Sequence, residues 1–192
     1  MPNVYRRLLV IACAWLTIVS LSRPARAVPA QTVVFLSSEQ KVLDSGPHLS
    51  LFGYYYGRSG VSLLGLYAGP RWKFGDLGVE FKGGVYGGPD LETRAIVNNQ
   101  IDFSKKHLSV TWFNDWYPPD EIYSYLNTML VFGPLYVGGV ADLTYDWSRT
   151  GYTTFSEGPT IGIGTKALYF GTAYLFTNHH TTAIRMTVGI TL

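Results

Sequence analysis

Hydrophobic positions along most of this chain recur at every second residue. In "LYVGGVADLTYDW", Leu135, Val137, Ala141, Leu143, Tyr145 and Trp147 share one set of positions, while Asp142, Thr144 and Asp146 share the other. A period of two belongs to a β-strand, whose successive side chains point to opposite faces. From Pro47 onward such runs alternate with breaks built from Gly, Pro, Asp, Asn and Ser, the composition of turns. The pattern predicts ten strands, at 48–57, 61–74, 77–87, 94–103, 107–117, 122–132, 135–147, 154–165, 167–177 and 182–192. Helix is disfavoured throughout by frequent Gly and by abundant β-branched and aromatic residues. Residues 28–46, "VPAQTVVFLSSEQKVLDSG", read as a leader in which "TVVFL" fits a short strand or an apolar plug equally well.

The breaks alternate in kind. "FGDLG", "FSKKH", "FGPLY" and "GTKAL" are tight, whereas "GRSG", "GGPDLET", "YPPDE", "WSRTGYTTFSEG" and "FTNHHTT" are more polar and on average longer. In the last strand Ile184, Met186, Val188, Ile190 and Leu192 face one way, with Arg185, Thr187, Gly189 and Thr191 opposite. Leu64, Leu66, Ala68, Trp72 and Phe74 likewise oppose Gly65, Tyr67, Gly69, Arg71 and Lys73, and Leu77, Val79, Phe81 and Val85 oppose Glu80, Lys82, Gly84 and Tyr86. The region from Pro47 to Leu192 thereby resembles bacterial outer-membrane β-barrels, through strand alternation, asymmetric connections and an apolar C-terminal strand. In that class the terminal residue is usually aromatic; here it is Leu192.

The resemblance implies a closed antiparallel up-and-down transmembrane β-barrel, of ten strands or alternatively eight. It also implies outer-membrane lipid as surroundings and recognition of the last strand by the barrel-assembly machinery. An even strand count would return the C-terminus to the side on which the first strand starts. Composition agrees with the apolar face turned outward, since 47% of residues are hydrophobic and only 15% charged. A soluble ten-strand sandwich would need a more charged outer face. The soluble alternative is a secreted or periplasmic ligand barrel, with an apolar cavity and its charges in water.

Compartment is read from the first 27 residues. Arg6 and Arg7, an apolar run from Leu8 to Leu21, and Ala25-Arg26-Ala27 make the three-part pattern of a secretory signal peptide, cleaved before Val28. The apolar run is short for a membrane-spanning helix. This segment holds four of the fifteen basic residues and none of the thirteen acids, so the remainder carries 11 basic and 13 acidic residues, a formal charge of −2. No clustered basic surface points to nucleic acid. Cys13, the only cysteine, also falls in the signal, which leaves no disulfide and no thiolate metal site thereafter.

Aromatic residues gather near strand ends, where their amphipathic rings suit a membrane interface. Trp72, Trp112, Trp116, Tyr117, Tyr145 and Trp147 are the candidate girdle. The polar face supplies a candidate lumen charge network, either structural or lining a conduit, of Arg71, Lys73, Glu80, Lys82, Asp102, Asp115, Asp142, Asp146 and Arg185. Narrow interiors are largely filled by side chains, and an unpaired buried charge is costly, so these charges are expected to pair across the lumen. Arg185 needs a carboxylate, with Glu80, Asp142 and Asp146 as candidates.

Catalytic chemistry has few candidates. His179 and His180 stand in "FTNHHTT", and Ser156 and Glu157 in another break that could approach it. Glycine-rich "YGRSG", "GGVYGG" and "GIGTK" precede no helix, so they read as bends rather than phosphate-cradling loops. Adjacent histidines would face opposite ways on a strand, against a shared metal ion. The expected function is an outer-membrane protein with a structural or surface-binding role through its external loops. No enzymatic activity, cofactor or metal is expected. The alternatives are a narrow porin-like channel for small solutes and a lipid A deacylase or acyltransferase using one of the two histidines.

Overall fold

The computed structural model describes residues 30–40, 47–58, 61–89, 91–148, 152–165, 167–179 and 181–192. The predicted signal segment, with its cleavage site, lies outside the described residues. All regular structure among the described residues is strand: β1 (Ala30–Gln40), β2 (His48–Arg58), β3 (Val61–Phe74), β4 (Leu77–Gly88), β5 (Leu91–Lys105), β6 (Leu108–Tyr117), β7 (Glu121–Phe132), β8 (Leu135–Asp146), β9 (Tyr152–Gly164), β10 (Leu168–Thr177) and β11 (Thr182–Thr191). Together they close into one barrel.

Each of the ten predicted strands is present, but the barrel has eleven. The extra one is β1, formed by the leader that contains "TVVFL". Antiparallel to β2 and parallel to β11, it stands between the two strands that a ten-strand barrel would have paired. Its parallel register runs from Ala30 opposite Ile184 to Ser37 opposite Thr191. β1 therefore enters at the end of the barrel where β11 begins, and the C-terminus lies at the other end. The expected return of both to one side does not hold, because the leader contributes an odd strand.

Three connections at the second end, here the turn end, are two residues long. Gly75, Lys106 and Gly133 begin them with φ of 62°, 48° and 62°, the positive value that a two-residue hairpin turn needs at this position. At the opposite, loop end, part of what reads as loop is strand. β4 and β5 extend to Gly88 and from Leu91, leaving a short hairpin. β9 starts at Tyr152, two residues before the predicted strand, and holds Ser156 and Glu157, which the overlapping break had also claimed. Cross-strand pairing has overridden the turn-like composition of these stretches.

Alternation sorts side chains as a barrel with an apolar exterior. Phe74 is 63% and Ile163 60% exposed, whereas Lys82 is 1% and Glu80 3% exposed. Leu64, Leu66, Phe81, Val85, Val137 and Ile161 continue the outer belt around the wall. Val188 and Ile190 lie on the same face yet are nearly covered, packed against Val34 and Leu168 of the flanking strands. Inside, glycines clear room for large groups. A β-carbon on Gly65 would meet the Tyr54 ring at 2.0 Å, and one on Gly78 would meet the Arg71 guanidinium at 2.7 Å.

Candidate functional site

The site is the lumen, and register assembles it strand by strand. At the turn end His48, Arg71, Glu80 and Gln100 lie opposite one another across β2, β3, β4 and β5. Arg71 pairs with Glu80, with Asp102 at 2.9 Å and with Glu39 at 3.5 Å. Glu39 also contacts His48 and, at 2.7 Å, Lys73. Lys82 pairs with Glu80 and reaches Gln100 at 3.1 Å, its ammonium 5.0 Å from the Phe52 ring centre. Ser50 donates to Glu80 at 2.8 Å, and Gln100 to Asp102 at 2.9 Å. Charges of both signs are thus interleaved on one sector of wall. Such pairing offsets much of the cost of taking ions out of water.

A second cluster sits across the barrel. The Arg185 guanidinium lies 2.7 Å from Asp142, with both side chains buried, and its Nε donates to the Gln31 side-chain Oε1 at 2.9 Å. Of the three acids that could have served Arg185, the structure gives it Asp142. Glu80 is engaged by Arg71 and Lys82 instead, and Asp146 holds the backbone N–H and hydroxyl of Ser148 at the mouth.

Asp115 forms the third polar centre. Asn98 donates to its Oδ1 at 2.7 Å, and the Tyr67 and Tyr117 hydroxyls lie 3.0 and 3.5 Å from Oδ2. Tyr54 and Tyr117 hydroxyls meet at 3.2 Å. Rings pack in sequence around this centre: Tyr54 stacks on Tyr67 at 5.7 Å, and Tyr86 meets Tyr117 edge-on at 4.6 Å. The expected girdle residue Tyr117 is therefore misplaced. It shares the inward face with Asp115, two positions away, while Trp72, Trp112, Trp116 and Trp147 are exposed on the outside. Tyr145 packs edge-on against Trp147 at 5.4 Å.

Between these clusters the lumen is hollow. A cavity of about 570 Å³ reaches the loop end, where Asp120, Glu121, Asp146 and Ser148 line its mouth. A smaller one of about 200 Å³ lies against Asn127, Met129, Thr160 and Tyr169. Phe35, Phe52, Phe113, Tyr125, Arg185 and Thr187 line both, and so form the waist between them. No protein family, curated protein or solved structure matches the chain.

Several members of the lumen went unseen in the sequence. Glu39 and Gln31 sit in the leader, whose faces do not alternate cleanly. Asn98 and Gln100 did carry a signal, since with Asp102 they mark one face of β5 at a period of two. The histidine candidates fare differently. His179 is exposed in the β10–β11 connection and is not among the cavity lining, and His180 lies outside the described residues. Ser156 faces the cavity while Glu157 points outward, so the wall separates them. Among the described residues no group of His, Cys, Asp and Glu side chains is arranged to hold a metal ion.

Proposed function

We propose that this chain is an outer-membrane-type β-barrel that binds a small molecule in the loop end of its lumen. The apolar residues exposed over most of its outer wall, flanked by Trp72 toward the turn end and by Trp116 and Trp147 toward the loop end, support immersion in lipid. The observation that carries the binding role is the 570 Å³ cavity, within the size range of small-ligand sites. It ends inward at an aromatic and ion-paired waist rather than in a wide channel. An eleven-strand interior is only a little wider than one that side chains fill, and far narrower than that of porins.

The runner-up is a narrow conduit, favoured by the shared lining of the two cavities. Planar-bilayer recordings of the refolded chain separate the two. The binding reading expects no discrete conductance steps. Steps that grow when the waist is opened by Arg185→Ala would overturn it in favour of the conduit. Access from the loop end is tested by Thr144→Cys in a Cys13→Ser background. The new thiol, on the cavity wall, should react with a membrane-impermeant reagent added from the loop side. Complete protection would refute an open binding cavity.

A further inference from the structure

Every inward charge of the turn-end and Arg185 clusters has an opposite charge beside it; Asp115 is the exception. Its carboxylate is 5% exposed, yet its partners are the neutral donors Asn98, Tyr67 and Tyr117. Among the described residues it makes no ion pair. Of the cations around it, Lys82 and Arg185 make their contact pairs with Glu80 and Asp142, and Lys82 acts on Asp115 only at longer range. All three partners donate, so they hold a charged acceptor in place without neutralising it. A carboxylate has about four acceptor positions, and three donors leave room for one more.

We infer that the loop-end cavity takes an organic ammonium ion, with Asp115 as its counter-charge and the surrounding rings as its cage. This rests on the reading of the lumen as a small-molecule site. The rings of Tyr54, Tyr86, Phe113, Tyr117 and Tyr123 line the same cavity as Asp115, and aromatic faces attract alkylated and organic ammonium groups. A bound ammonium would supply the contact ion pair that this buried carboxylate lacks among the described residues. Among the described residues five carboxylates line the cavity against two guanidiniums, and one of each is spent in the Asp142–Arg185 pair; an acidic lining favours a cation over an anion.

The test is calorimetric titration of the refolded full chain in nonionic detergent with three probes of one shape: benzylammonium, benzyl alcohol and benzoate. Benzylammonium is expected to bind at least tenfold more tightly than benzyl alcohol, with benzoate weakest. Asp115→Asn should abolish the preference for the cation, so that benzylammonium and benzyl alcohol bind alike. The unmodified chain carries the charge comparison by itself, so the test survives a variant that fails to fold. Equal binding of the cation and the alcohol overturns the inference but leaves the lumen reading standing, as does a preference that persists in Asp115→Asn. Failure of benzylammonium to bind overturns it too, and the Thr144→Cys accessibility result then decides the fate of the lumen reading separately.

Discussion

The Arg185–Asp142 pair offers the sharpest check on how the interior is held. Both side chains are under a tenth exposed, 8% and 7%, and their charged atoms are 2.7 Å apart. Arg185→Ala would leave Asp142 buried without its cation, a situation that costs roughly 3–5 kcal/mol. Loss of the hydrogen bond to Gln31 adds about 1 kcal/mol. Asp142→Ala strands Arg185 by the same reasoning, although Gln31 still accepts from it. In the double variant neither charge is left alone, so the combined loss should fall short of the sum by about 1–3 kcal/mol. Urea unfolding of refolded protein in lipid vesicles, followed by tyrosine and tryptophan fluorescence, supplies the four corners of the cycle. Glu80 is the control, because it serves Arg71 and Lys82, and Arg185→Ala with Glu80→Ala should be additive within about 0.5 kcal/mol. Zero coupling with Asp142, or coupling to Glu80 as large, would refute the assignment and with it the account of a lumen held by local ion pairs.

Two further outcomes follow from the faces and the turns. Val137→Arg, on the outer face, should cost more in vesicles than Thr144→Arg, on the cavity wall, by a penalty that reaches about 2–4 kcal/mol at a bilayer midplane and falls toward its interfaces; the reverse order in the same urea assay would mean that the outer face does not meet lipid. Lys106 holds a positive φ that Gly75 and Gly133 adopt in the equivalent turns, and left-handed backbone costs a non-glycine residue about 1 kcal/mol. Lys106→Gly should therefore raise the urea midpoint, and a lower midpoint would count against strain at this turn.

Most of the strand framework was legible because a barrel wall imposes one rule on every residue: in or out, alternately. Strands such as β3 and β8 obey it with large apolar side chains on one face and charges or glycine on the other. β1 escaped because it breaks the rule locally. Val33 and Val34 are both apolar, Ser37 and Ser38 both polar, and its parallel partner lies at the far end of the sequence, where no hairpin signal exists. Within the site, Arg185 and its need for an acid were readable; the choice of Asp142 was not. That choice depends on how far neighbouring strands are staggered, a property of the closed ring rather than of any one segment. Tyr117 was misplaced for a different reason. Tyr117 follows Trp116 directly but shares its parity with Asp115, and in a strand parity rather than adjacency sets the face.

The parallel seam between β1 and β11 gives the chain ends separate addresses. The polypeptide enters the ring at one rim and leaves it at the other, so a label near Ala30 and one after Leu192 would report from opposite ends of the barrel. The seam also sets an order of events. Ala30 must meet Ile184, the widest sequence gap in the whole wall, and a strand that emerges early must wait for the last one before the circle can be completed. Until then both edges stay open, and their unmet hydrogen bonds are what an assembly partner would have to hold.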